Sequence, residues 1–323
     1  PSFDRQRGVS LIHLLDLPGQ CARHANRSRG HGRLQQQRAL HRLSLAQRPG
    51  RWWRGRERDG HLPRTGGRQL GQGDAGVFGG VEIAVPPICL VLLPGMDGTG
   101  ELFGPLLDAL GEQLAVDVVR YPSTEAMGYE DLVQLVEAQL PVGKPYVLLA
   151  ESFSGPVALK IAATSPPQLV GLILCATFAR NPRPALRFLP AQLMRLPFKL
   201  SPMNWVIGPL GHALLGQFST EQLVGLLRAA LAQVAPDVVV RRLREVQRVD
   251  VVNDASQIKV PAMYLLATKD KVVPRRASQI IHRAMSQLRI VSINAPHCLL
   301  QAAPLDAAKS ILTFIDSLRL EAA

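Results

Sequence analysis

From residue 81 onward, short continuous apolar runs alternate with stretches in which apolar residues recur every three or four positions. The runs are "ICLVLL" (88–93), "LAVDVV" (114–119), "YVLLA" (146–150), "LVGLILCA" (169–176), "AMYLLA" (262–267) and "LRIVSI" (288–293). Several carry no polar residue, which is the pattern of strands buried on both faces. Helical spacing predicts helices at about 100–112, 127–139, 153–164, 275–286 and 304–319, the last with Pro304 placed at its first turn. Strands that alternate with helices in this way predict an α/β fold, a mostly parallel sheet with helices on both faces.

One interval breaks the rhythm. Residues 178–256 hold no strand-like run but several Leu-rich helical stretches: "RFLPAQLMRL", "GPLGHALLG" and "STEQLVGLLRAALAQV". Ser219 or Thr220 stands as N-cap for the third. This segment is expected to be a helical cap inserted over the carboxyl edge of the sheet, where open α/β sheets bind their ligands. Its Leu, Met and Phe residues and Trp205 suggest an apolar pocket, although leucines at helical spacing are more often core than substrate contacts.

The charge changes the picture only for the first 80 residues. The chain has 323 residues and a formal charge of +12. Residues 1–80 hold 15 Arg, no Lys and 5 acids, a balance of +10, and residues 81–323 carry only +2. The first segment also has five of the eight His and little apolar periodicity after Leu17. It reads as Arg-rich low-complexity sequence that cannot bury a core. The expected division is therefore 1–80, disordered or non-native, and 81–323, one folded domain; a basic arm for polyanions is the competing reading of the first part. With a nearly neutral body, no nucleic-acid partner is expected.

"VSLIHLLDLPGQC" (9–21) is interrupted by His13 and Asp16, so it is a poor signal-peptide core. No run reaches the roughly 18–20 apolar residues of a membrane span, so stable membrane insertion is not expected. Cys21, Cys89, Cys175 and Cys298 are far apart, and buried free thiols in a reducing cytoplasm are the expectation.

Candidate chemistry begins at "LLAESFSGPVAL" (148–159), where an apolar run stops at an acid and two serines and resumes after Gly155 and Pro156. A strand, a tight turn and a helix in that order hold a serine hydroxyl exposed above a sheet, which makes Ser152 the candidate nucleophile. Ser154 is less suited, because it would place Pro156 in the crowded turn; the plain alternative is that both serines cap the helix. Three His stand in the body, and His297 is the one in a loop directly after a strand, as a general base for Ser152 must be; His212 falls in the cap and His282 on a helix. Asp270 follows the strand before it and is the candidate to orient the imidazole, ahead of Asp250 and Asp254. In "LLPGMDGTG" (92–100) the glycines allow a turn, and the backbone N–H groups of Met96 and Phe153 are candidate oxyanion donors. A dinucleotide reading of Gly95, Gly98 and Gly100 with Asp117 has the wrong glycine order, and Asp117 lies inside its strand.

With these motifs, residues 81–323 resemble the α/β-hydrolase fold family, and L-P-G-M-D-G-T-G with A-E-S-F-S-G resembles a group of bacterial, serine esterase-like members. The resemblance implies hydrolysis through a serine, an acid and a histidine without cofactor or metal. Two features depart from the commoner pattern: Pro94-Gly95 stands where His-Gly is usual, and Ala150-Glu151-Ser152 where Gly-His-Ser is usual. The expected function is that of a serine hydrolase acting on a small-molecule carboxylic ester or thioester with an apolar portion. An acyltransferase using the same residues, or a binding module that has lost catalysis, are the alternatives.

Overall fold

The computed structural model describes residues 87–185 and 211–322. The segment 1–80, Cys21, "RFLPAQLMRL" (187–196) and Trp205 lie outside them.

Six strands, β1 (Cys89–Leu93), β2 (Ala115–Val118), β3 (Tyr146–Glu151), β4 (Leu169–Cys175), β5 (Ala262–Ala267) and β6 (Arg289–Ile293), coincide with the six apolar runs to within two residues. They form one sheet in the order β2-β1-β3-β4-β5-β6, parallel at every pairing. Successive side chains of a strand alternate between faces. In β1, Cys89, Val91 and Leu93 enter one core and Leu90 and Leu92 the other; in β3, Tyr146, Leu148 and Ala150 oppose Val147 and Leu149. This two-sided burial is why the central runs are apolar throughout. The edge strands differ as expected: β2 alternates in exposure, and in β6 only Ile293 is buried.

Nine helices have fully described bounds: α1 (Gly104–Leu110), α2 (Tyr129–Glu137), α3 (Gly155–Ala163), α4 (Glu221–Ala232), α5 (Pro236–Arg248), α6 (Val252–Gln257), α7 (Arg276–Ala284), α8 (Leu299–Ala302) and α9 (Pro304–Ala322). Leu132 and Val136 of α2, Val157 and Ile161 of α3, Ala255 of α6 and Ile281 of α7 cover one face of the sheet. Leu106 of α1, Leu299 of α8 and Ile311 of α9 cover the other. The helices expected at 100–112 and 153–164 each begin with a short 3-10 turn, Glu101–Phe103 and Ser152–Ser154, and become α-helical only at Gly104 and Gly155. Among the described residues no single helix is long and apolar enough to cross a membrane.

Helices α4 to α6 lie between β4 and β5, and no strand forms among the described residues of 178–256. Thr220 caps α4, its side chain accepting from the Leu223 N–H at 3.2 Å. The two ends of the intervening chain are pinned side by side. The Val251 N–H donates to the Ala179 carbonyl at 2.8 Å, Asn181 N–H to Val249 at 3.3 Å, and Arg180 Nε to Asp250 at 3.0 Å.

Sheet order sets the location of the site. The chain passes from β1 outward to β2, then back across to β3 on the other side of β1. At this reversal the loops after β1 and β3 diverge and leave a crevice at the carboxyl ends of the strands.

Candidate active site

Ser152 follows β3 directly and has φ 49°, a left-handed conformation that costs a non-glycine residue on the order of 1–2 kcal/mol. Four side chains hold the turn there, directly or through one another. Thr177 Oγ1 donates to the Ser152 carbonyl, and Thr177 is itself fixed by Tyr264 of β5, whose hydroxyl donates to its carbonyl at 2.7 Å and accepts from its N–H at 2.9 Å. Gly155 makes this approach possible, since a Cβ there would lie 1.9 Å from Thr177 Oγ1. On the opposite side, Ser154 Oγ donates to the Pro94 carbonyl and accepts from Tyr121 Oη at 2.7 Å. Ser154, the less suited serine, is thus a buried strut between the loops after β1 and β3.

His297 lies in the loop between β6 and α8, and Asp270 in the loop after β5. Asp270 Oδ2 meets His297 Nδ1 at 2.8 Å, and His297 Nε2 meets Ser152 Oγ at 2.8 Å. A carboxylate only accepts, so Nδ1 carries the proton and Nε2 presents its lone pair to the serine hydroxyl. The other oxygen of Asp270 accepts from the N–H groups of Val272 and Val273 at 2.7 and 2.8 Å. His212 and His282 are exposed. Asp250 is committed to Arg180, and Asp254 is on α6.

The loop after β1 turns at Gly95–Gly98, where the Gly98 N–H donates to the Gly95 carbonyl at 3.1 Å. Met96 takes the second position of this turn, a position whose N–H is not used by the turn itself. Phe153 is in the first turn of its 3-10 segment, where N–H groups have no partner within the helix. Its fully buried ring stacks on Tyr129 at 4.9 Å. Asp117, by contrast, is in the middle of β2, where it accepts from Cys89 Sγ at 3.4 Å. It is remote from any role at a phosphate loop.

Two participants were not evident from sequence. Arg242, on α5, is 2 % exposed, and its Nη1 donates to the carbonyls of Met96 and Asp97, both at 2.8 Å. Its only sequence signal is position: it stands four residues after Val238 and four before Val246, on the apolar stripe of its helix. Gln301, just beyond His297, donates to Glu151 at 3.3 Å and to the Leu102 carbonyl at 3.2 Å. Glu151 is buried beside Ser152, and burial together with the field of Asp97 raises its pKa to about 7, against smaller downward contributions from His297 and Gln301. Buried thiols stand at Cys89, Cys175 and Cys298, and none is in a disulfide. Among the described residues no group of three or more His, Cys, Asp or Glu gathers as a metal-ligand set.

Residues 90–309 match the profile of the family described as "Alpha/beta hydrolase family". The chain belongs to the alpha/beta hydrolase family. Solved structures similar to this alpha/beta hydrolase include the enol-lactonase from Burkholderia xenovorans LB400, 16 % identical with a TM-score of 0.63, covering 71 % of this chain and 92 % of that one. A thermophilic esterase from Thermogutta terrifontis is also 16 % identical at a TM-score of 0.63, covering 72 % and 91 %. At such identities the likeness is one of fold. Among curated proteins, "Phytyl ester synthase 1, chloroplastic" from Arabidopsis thaliana is 34 % identical over 142 residues, 39 % of this chain. The match spans 20 % of that relative's length.

Proposed function

We propose that this alpha/beta hydrolase is a serine hydrolase of a carboxylic ester or thioester with an apolar portion, acting through an acyl-enzyme. The observation that carries the reading is the unbroken relay from Asp270 through His297 to Ser152, with Ser152 held at a positive φ. Ser152 Oγ attacks the carbonyl carbon as its proton passes to His297 Nε2. The Met96 and Phe153 N–H groups take up the oxyanion. The tetrahedral intermediate then collapses, the C–O or C–S bond breaks, and the imidazolium returns the proton to the departing alkoxide or thiolate. Water, deprotonated by His297, attacks the acyl carbon, the bond to Ser152 Oγ breaks, and the imidazolium returns the proton to Ser152 as the acid leaves.

An apolar portion fits the surroundings. Leu214, Leu215, Leu223 and Leu227 cluster with Leu102 and with Cys298, the neighbour of His297. This supports a reading of 178–256 as a cap that shelters an acyl chain or an apolar alcohol.

The test is hydrolysis of p-nitrophenyl esters from acetate to palmitate by the full chain and by its Ser152→Ala variant. The variant is expected to lose turnover by roughly 10⁴ to 10⁶. Equal rates would dismiss the serine mechanism. A second reading, transfer of the acyl group to an alcohol, is favoured by the likeness to the plant relative, an ester synthase. Adding a long-chain alcohol to the assay and measuring new ester against free acid separates the two.

A further inference from the structure

Beyond the Ser154 strut at Pro94, the loop after β1 is held by a side chain from the segment between β4 and β5. Arg242 Nη1 donates to two successive carbonyls, Met96 and Asp97, and Nη2 donates to Pro122 at 3.0 Å. The same guanidinium lies 5.9 Å from the ring centre of Phe153 and 5.7 Å from that of Tyr121, within cation–π range of both. It therefore contacts both residues whose N–H groups are assigned to the oxyanion, and also the tyrosine whose hydroxyl supports Ser154.

Gly98 is shaped for this contact. It has φ +71°, and a Cβ there would stand 2.7 Å from both Nη1 and Nη2. Packing alone does not call for a guanidinium at this position, because taking a charge out of water is costly and an apolar side chain of similar volume is often at least as stabilising. The carbonyls and rings offset that cost, and burial still pushes the Arg242 pKa down.

We infer that Arg242 is a positioning residue for the oxyanion site, fixing the Met96 and Phe153 amides from helix α5 of the segment inserted between β4 and β5. The inference rests on the serine-hydrolase reading above. By holding the Met96 carbonyl, Arg242 fixes the orientation of the peptide that follows Met96 and removes rotational freedom from the turn. An oxyanion site is effective when its donors are in place before the charge develops, so freedom at this turn reduces transition-state binding and leaves ground-state binding largely intact.

The experiment compares wild type, Arg242→Ala, Arg242→Lys and Ser152→Ala in the full chain, with p-nitrophenyl butyrate as substrate and thermal unfolding to establish that each is folded. Arg242→Ala is expected to lower kcat about 10- to 100-fold with KM within about threefold. Affinity for a trifluoromethyl ketone, which binds as an oxyanion, should fall in proportion to kcat/KM. Added ethylguanidinium should restore part of kcat, and ethylammonium at equal ionic strength should not. Arg242→Lys, which keeps the charge and loses the fork, should give an intermediate loss and covers the case in which the alanine variant does not fold. A folded variant of either kind with wild-type kcat and ketone affinity overturns the inference, as does a loss confined to KM. If Ser152→Ala is as active as wild type, the serine reading fails and the inference fails with it.

Discussion

The loops after β1 and β3 are held quite differently from those after β5 and β6. On the first side, strained backbone is clamped by side chains from four separate places: Thr177 after β4, Tyr121 after β2, Ser154 within the turn and Arg242 on α5. On the second side, the backbone is unstrained: Asp270 accepts from two N–H groups of its own loop and from His297 Nδ1, and Arg183 steadies the loop through the Lys271 and Val272 carbonyls. The difference follows from the task of each side. The proposed nucleophile and oxyanion donors are placed by backbone, which the surrounding structure must hold where its conformation is unfavourable. The proposed base and acid stand on backbone without a positive φ, so their placement needs no such clamp.

If that contrast is right, changes on the second side should act on rate and changes on the first should act on stability as well. The largest effect is expected from Asp270→Asn. The Val272 and Val273 N–H groups require the amide oxygen, so the new NH₂ faces His297 Nδ1 and forces the proton onto Nε2. Steady-state kinetics should show kcat lower by roughly 10⁴ with little change in melting temperature.

Gly155→Ala places a methyl 1.9 Å from Thr177 Oγ1 and is expected to destabilise the fold by about 3 kcal/mol in urea titration, with loss of activity. A variant as stable as wild type would show that the clamp on the Ser152 carbonyl is dispensable.

Glu151→Gln tests the buried acid. A carboxyl whose folded pKa is raised from 4.5 to about 7 binds its proton more tightly when folded, so its ionisation costs stability progressively as pH rises from about 4.5 to 7. Replacing it should therefore stabilise the protein at pH 8 by about 2–3 kcal/mol and change little at pH 4, read by denaturant midpoints at the two pH values. The smallest effect, about 1–2 kcal/mol, is expected for Ser154→Ala, which leaves Tyr121 Oη and the Pro94 carbonyl short of a partner. Calorimetry would measure it. An unchanged melting temperature would break the contrast at its weakest point.

The same contrast governs what was legible in the sequence. Strands buried on both faces announce themselves, because Leu90 to Leu93 or Leu172 to Cys175 can contain no polar residue. Ser152, Asp270 and His297 could be picked out because each directly follows a strand, so chain order alone brings them to one edge. The contacts that secure Ser152 could not, since Tyr121, Thr177 and Arg242 are 31, 25 and 90 residues from it and nothing local marks them as partners. Nothing near Gly155 in the sequence marks Thr177 as its partner, and the reason for Gly98 is visible only with Arg242 set against it. Glu151 stands out as unusual, but its burial among Asp97 and Gln301 is a property of β3, the loop after β1 and α8 meeting, not of any one of them.

The bridge that joins residues 179–181 to 249–251 makes the chain between β4 and β5 a cassette. Because it leaves and rejoins the sheet at one point, a short hairpin turn can close the same gap with little change in loop-closure entropy. Evolution, or an engineer, can therefore exchange the piece that would face the substrate, provided that its contacts to the relay loops, Arg183 to Lys271 and Val272 and Leu214 to Cys298, are replaced. The replacement must also carry along an arginine reaching back to Met96.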